Sequence, residues 1–194
     1  RRRDAVEEAI ASLPDEWQAI DTLINNAGLA VGLESIHEGD PDDWERMIDT
    51  NIKGLLYVTR TVAPGMADRR AGHIVNLGSI AGREVYPGGA VYCATKHAVR
   101  ALSQGMRQDL LPYGIRVSLI CPGAVETEFS IVRFKGDNQR AASVYDGYTP
   151  LSADDIARTI RFALTAPAHV DLQDILVMPT AQADARTIHR TPKG

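Results

Sequence analysis

Apolar positions along this chain alternate between a helical spacing and short strand-like runs. From Asp4 to about Leu13, the residues Val6, Ala9, Ile10 and Leu13 fall on one side of a helix. Ile20 to Ile24 is a short apolar run that stops at Asn25-Asn26-Ala27-Gly28, a strand ending in a turn. Asp40-Pro41 starts a second helix: Asp caps it, and Pro at the first helical position loses no hydrogen bond. Helical spacing then runs through Trp44, Met47 and Ile48, and on from Leu55 to Met66. His73 to Leu77 is a second strand, ending in Gly78-Ser79. Val91 to Leu111 is a long helix broken by Pro112 and Gly114, and Arg116 to Cys121 is a third strand stopped by Pro122-Gly123. Ser152 and Asp155 form a capping box for a helix through Leu164. Ile175 to Met178 is a fourth strand, and the polar tail after Pro179 reads as loose chain.

Short, largely apolar strands separated by helices predict an α/β fold whose parallel sheet is covered on both faces. Ligands of such sheets sit beyond the carboxyl ends of the strands. The segments Asn25 to Gly28, Ser79 and Pro122-Gly123 all lie at such ends, so they should line one crevice. The 194 residues are expected to form a single domain with a real core.

Candidate chemistry concentrates in Val91-Tyr92-Cys93-Ala94-Thr95-Lys96, with Ser79 thirteen residues ahead of Tyr92. A Tyr and a Lys four apart on a helix share a face. A phenol of ordinary pKa near 10 is a poor proton donor or acceptor at neutral pH. An ammonium beside it should lower that pKa and fit Tyr92 for acid–base work. A Ser79 hydroxyl facing the same point would hold a substrate oxygen. That set suits hydride transfer to a carbonyl or from an alcohol. The bland alternatives are a Tyr on a helix flank, a solvated Lys and a Ser that only ends a strand. Of six tyrosines, Tyr92 alone has Lys four residues on. Asn51 sits inside a helical run, where Asn is locally unfavourable, so something should compensate for it.

Composition narrows the rest. A net charge of −4 argues against nucleic acid or an anionic membrane surface as partner. No run approaches the ~18 apolar residues of a membrane span. Two cysteines, Cys93 and Cys121, and no CxxC pair indicate a reducing, cytoplasmic setting. Five scattered histidines have no ligand spacing, so no metal is expected.

The ordered set Asn25-Asn26-Ala27-Gly28, Asn51 within DTNIKG, Ser79, Tyr92 with Lys96, and Pro122-Gly123 followed by Thr127 resembles the short-chain dehydrogenase/reductase family over nearly the whole chain. The segments WERMIDTNIKGL, EFSIVRFKGD and PAHVDLQDILVMP are similar to the NADP-dependent 3-hydroxy acid, serine-type dehydrogenases of that family. The resemblance implies a Rossmann-like, doubly wound parallel sheet and NADP as cofactor, with NAD as the other option. It implies Ser79, Tyr92, Lys96 and Asn51 as the catalytic set, with Lys96 on the nicotinamide ribose and Asn51 anchoring a proton-relay water. Asn26, Ala27, Gly28, Pro122, Gly123, Val125 and Thr127 would join Tyr92 and Lys96 in holding the cofactor. Arg133 and Lys135 lie where the family closes over substrate. With Ser79 and Tyr92, the Arg133 guanidinium would bind a substrate carboxylate. The resemblance further implies homodimers or homotetramers paired through the helices around 51–69 and 91–111.

One part of the family pattern has no counterpart. The family opens with a strand and a TGxxxGxG turn that holds the cofactor pyrophosphate. Here NNAG begins at position 25, roughly 60 residues earlier than the preceding βαβ unit would put it. The expectation is a fold lacking its N-terminal strands and Gly-rich loop. Two competing functions remain: a carbonyl reductase of the same family acting on 3-oxoacyl thioesters, and a non-catalytic binding or scaffold homologue.

Overall fold

The computed structural model describes residues 1–191. Its elements are α1 (Arg3–Ala11), β1 (Thr22–Asn25), α2 (Pro41–Ile48), α3 (Leu55–Arg69), β2 (Gly72–Leu77), α4 (Ala90–Leu110), β3 (Ile115–Pro122), α5 (Phe129–Arg133), α6 (Asn138–Ser143), α7 (Ala153–Leu164) and β4 (Asp174–Val177). The apolar pattern anticipates all of these except the two short helices α5 and α6. Start signals act as their chemistry requires. The Asp40 side chain accepts from Asp42 N at the head of α2, and Ser152 and Asp155 close a reciprocal capping box on α7.

The four strands pair in the order β1-β2-β3-β4, all parallel. Alternate residues face opposite sides. Ile74, Val117, Leu119 and Cys121 point to one side and pack on Leu55, Val62 and Met66 of α3 and Val99 and Met106 of α4. Val75 and Ile120 point to the other and pack on Ile156 of α7. Met66, Ile74, Val75, Leu119 and Ile120 are almost wholly buried; each such side chain contributes about 1.5–3 kcal/mol. Ile24 pairs in register with Val75 yet stays 43% exposed, outside the cluster that Val75 joins.

Polar residues inside this core tie the strand ends together. Asn25 Nδ2 donates to Thr59 Oγ1 of α3 at 3.0 Å and to Asn76 Oδ1 of β2 at 2.8 Å. Asn76 in turn donates to Ser103 Oγ of α4 at 2.9 Å. The turn after β1 is thereby anchored to two helices and its neighbouring strand. Between α2 and α3 the helix loosens to a π-turn over Asp49–Gly54, centred on Asn51. Such turns concentrate at functional sites.

His73 gives a stability prediction. Its ring meets Ser118 Oγ at 2.8 Å between β2 and β3, and burial, with Arg116 nearby, pushes its pKa down to about 4. The folded chain then binds fewer protons than the unfolded one, whose His has the ordinary value near 6.5. Stability should fall as pH drops from about 6.5 to about 4, by roughly 3 kcal/mol from this group. Denaturant titrations at pH 7 and 4.5 should show a larger loss for the wild-type chain than for His73→Gln. Equal losses would mean that His73 is not the titrating group.

Candidate active site

The carboxyl ends of β1, β2 and β3 open into one cleft of about 320 Å³. Its walls include Asn26, Gly28, Ser79, Tyr92, Lys96, Pro122, Gly123, Val125 and Thr127. The three strand-end turns therefore converge as the sequence pattern requires. Ala27 stands exposed at the rim, outside the lining, and Asn51 is buried behind it.

Ser79 follows the end of β2 by two residues and caps the short turn Ile80–Gly82, its Oγ accepting from Ala81 N at 3.1 Å. The turn chemistry and the candidate role coexist, since accepting from Ala81 N leaves the hydroxyl proton directed to the Tyr92 side of the cleft. Gly82 makes the placement possible. A Cβ there would lie 2.7 Å from the Lys96 carbonyl oxygen, so only glycine lets the Ser79 turn rest on α4 at this point.

Tyr92 and Lys96 share a face of α4, and both are buried. Their electrostatics depart from the sequence expectation. Lys96 Nζ passes the phenol and donates to Leu77 O at 2.8 Å, 6.0 Å from the Tyr92 ring centroid. Burial moves the Tyr92 pKa upward, and the groups opposing that shift are Arg133 and a hydrogen bond with Ser79, not Lys96. The same burial lowers the Lys96 ammonium to about 8. Desolvation outweighs a neighbour that is turned toward a backbone carbonyl.

The Asn51 side chain is held within the fold. Its Nδ2 donates to Leu29 O at 2.8 Å and to Thr95 Oγ1 at 3.0 Å, and its Oδ1 accepts from Leu29 N at 2.9 Å. The amide clamps the loop after β1 to α4, so its side chain is already committed. This clamp is the compensation that an Asn within a helical run needs. Gly28 completes the arrangement: the space a Cβ would occupy there lies 3.4 Å from both Asn51 Oδ1 and Lys96 Nζ. The absent side chain keeps that end of the cleft open.

A second cavity, about 480 Å³, adjoins the first and shares Ser79, Tyr92, Gly123, Val125 and Phe129 with it. Arg133 lines this cavity. Its guanidinium carbon lies 5.1, 5.4 and 5.6 Å from the ring centroids of Tyr92, Phe129 and Tyr86. One guanidinium nitrogen donates to Tyr86 Oη, while Nε is buried with no hydrogen-bond partner in the protein. Lys135, the other cation considered from the sequence, is engaged elsewhere: its Nζ lies 2.6 Å from Asp43 Oδ2.

Tyr86 was missed from the sequence, as was the tail. Residues 180–191 are not loose: Gln182 is buried, accepts from Ala124 N at 2.8 Å through Oε1, and lines the second cavity. Ala185 N donates to Glu84 Oε2 at 2.8 Å, and Thr191 N to Gly147 O at 2.7 Å. No hydrophobic periodicity marks this segment, because hydrogen bonds rather than apolar contacts hold it.

The profile of the short chain dehydrogenase family matches residues 1–138. The chain belongs to this family. A relative in Salmonella typhi named NADP-dependent 3-hydroxy acid dehydrogenase YdfG is 50% identical over 193 residues, 98% of this chain and 78% of that protein. A Schizosaccharomyces pombe NADP-dependent 3-hydroxy acid dehydrogenase is 46% identical, over 93% of this chain and 70% of its own length. Among solved structures, the closed form of a serine dehydrogenase complexed with NADP+ superposes with a TM-score of 0.93 at 49% identity, covering 98% of this chain and 77% of that one. The parallel sheet flanked by helices is the Rossmann-like architecture of these short-chain dehydrogenases.

Proposed function

We propose that the chain is an NADP-dependent oxidoreductase that interconverts a small 3-hydroxy acid, or a serine-like compound, and its carbonyl form. The observation that carries the substrate class is the Arg133 guanidinium, held against the Tyr92 ring with Nε buried and unpartnered. A carboxylate bound there would sit one short carbon chain from the Tyr92 hydroxyl. Curated relatives named for 3-hydroxy acids support the same class.

The cleft suits the nicotinamide half of the cofactor. The nicotinamide ribose would lie beside Lys96 Nζ, where Gly28 contributes no side chain. Asn26, Ala27, Gly28, Lys96, Pro122, Gly123, Val125 and Thr127 are the residues that would hold this half. NADPH supplies a hydride when bound, and NADP+ accepts one. In reduction, the Ser79 hydroxyl donates a hydrogen bond to the substrate carbonyl oxygen and Tyr92 gives that oxygen its proton. Burial keeps the phenol protonated, which suits the acid role. In oxidation the phenolate must form first, and Arg133 is the nearby cation that favours it. Lys96 stays mainly charged at pH 7 and presents its ammonium to the cofactor side. Asn51 holds the loop bearing Gly28 in register with α4.

Two finer assignments belong to the same proposal. Both thiols are free and buried, consistent with a reducing cytoplasm. Leu56, exposed on α3, is consistent with pairing of copies into a homodimer or homotetramer.

The reading is tested by turnover assays with NADP+ and NAD+ on 3-hydroxypropanoate, serine and 1-propanol, and with NADPH on an acetoacetyl thioester. NADP+-dependent turnover of the hydroxy acids, at least tenfold above 1-propanol, is expected. Activity confined to the thioester would replace this reading with the acyl-reductase one. No binding of either cofactor would favour the scaffold reading.

A further inference from the structure

Arg133 ends the five-residue helix α5, and the turn that follows is unusual. Lys135 N donates to Val132 O at 3.2 Å and Gly136 N to Ile131 O at 2.9 Å, closing the helix in the manner of a C-terminal cap. Lys135 takes the left-handed conformation at φ 54°, a backbone that glycine adopts freely and lysine does not. Its side chain reaches from there to Asp43, 2.6 Å from Oδ2.

Asp43 stands in the first turn of α2 with a side chain only 8% exposed. Its other oxygen lies 3.5 Å from Arg46 Nη1. A carboxylate so buried is costly to leave without a cation. The helix bearing it packs through Met47 and Trp44 into the same cluster as Tyr92, Ala81 and Phe129. The ion pair therefore spans from the element packed around the phenol to the turn two residues beyond Arg133. One backbone bond, Gly32 N to Arg133 O at 2.9 Å, runs beside it.

We propose that Asp43 and Lys135 form a positioning pair, whose contact ties the Arg133 turn to α2 and so sets where the guanidinium meets a substrate carboxylate. The inference rests on the role given to Arg133 above. Lys135 does not itself touch substrate; it acts through Arg133.

Four variants test it in the full chain: Lys135→Gly, Lys135→Arg, Asp43→Asn and, as a reference, Arg133→Ala. Each is assayed for KM and kcat with 3-hydroxypropanoate and with 1-propanol, and for its thermal unfolding midpoint. Lys135→Gly should raise KM for the hydroxy acid roughly tenfold, through misplacement of the anchor, while kcat/KM for 1-propanol moves far less. Glycine suits the left-handed backbone and Arg46 remains beside Asp43 as a cation, so the unfolding midpoint should hold. Lys135→Arg should restore most of the KM, and Asp43→Asn should repeat the Lys135→Gly effect. If Lys135→Gly and Asp43→Asn leave both KM values alone while Arg133→Ala raises that of the acid, the positioning pair is refuted and the role of Arg133 stands. If Lys135→Gly weakens both substrates alike and lowers the midpoint, the pair is only a structural tie, and the proposal fails. If Arg133→Ala does not separate the two substrates, the carboxylate reading itself falls, and the pair with it.

Discussion

Tyr92→Phe should lower kcat with a 3-hydroxy acid by about 10²–10⁴-fold, the usual worth of positioned acid–base catalysis. The substitution removes one oxygen from a buried ring packed on Phe129 at 5.7 Å between centroids, so the helix and cleft should keep their shape. What disappears is the proton that reaches the carbonyl oxygen, together with a hydrogen bond to Ser79. Lys96 does not depend on that hydroxyl, since its ammonium is held by Leu77 O. NADPH affinity, read by fluorescence titration, should therefore stay within a few-fold of wild type. Turnover within tenfold of wild type would show that another group, or water, moves the proton. A parallel loss of NADPH binding would show instead that the ring oxygen organises the cofactor site.

Arg133→Ala should cost roughly a hundredfold in kcat/KM for 3-hydroxypropanoate, mostly through KM. Hydrogen bonds to a charged group contribute about 1.5–3 kcal/mol each, and each 1.4 kcal/mol is about tenfold in affinity. Arg133→Lys should recover only part of this, because an ammonium keeps the charge but loses the planar fork. Steady-state kinetics against 1-propanol provides the control, since an uncharged alcohol has nothing for the guanidinium to bind. A smaller second effect is expected on the pH profile. Arg133 opposes the burial that raises the Tyr92 pKa, so its loss should shift the rising limb of the pH profile for alcohol oxidation, where the phenolate forms, to higher pH. Equal losses for acid and alcohol would move Arg133 from substrate binding to packing of the aromatic cage.

Much of the fold was legible because its signals are local. A cap residue is read from its own helix start, as at Asp40 and Ser152. A strand between turns is read from a handful of neighbouring side chains, as at His73 to Leu77. The helices α5 and α6 escaped notice because five or six residues carry too little periodicity to register. The tail after Pro179 escaped for a related reason: Gln182 holds it through a bond to Ala124, a partner with no sequence proximity.

The candidate site divides in the same way. Ser79, Tyr92, Lys96 and the strand-end turns could be found by spacing, and the fold gathers them into one cleft. The protonation of Tyr92 could not, because it depends on how much protein surrounds the phenol rather than on one cation a turn away. Nor could the side-chain role of Asn51, which follows from Leu29 and Thr95 meeting it across a π-turn.

By itself, the order of residues determined the parallel α/β architecture, the crevice at the strand ends and the Ser, Tyr and Lys gathered there, since each follows from contacts within a few residues or from the direction of the strands. Only the tertiary structure decided that Arg133 stands in a cage of Tyr86, Tyr92 and Phe129, that Lys135 answers Asp43, and that Lys96 turns from the phenol to Leu77. The reason is physical. Burial and charge act through space, and these partners lie far apart along the chain or are redirected by a third group that no local spacing reveals.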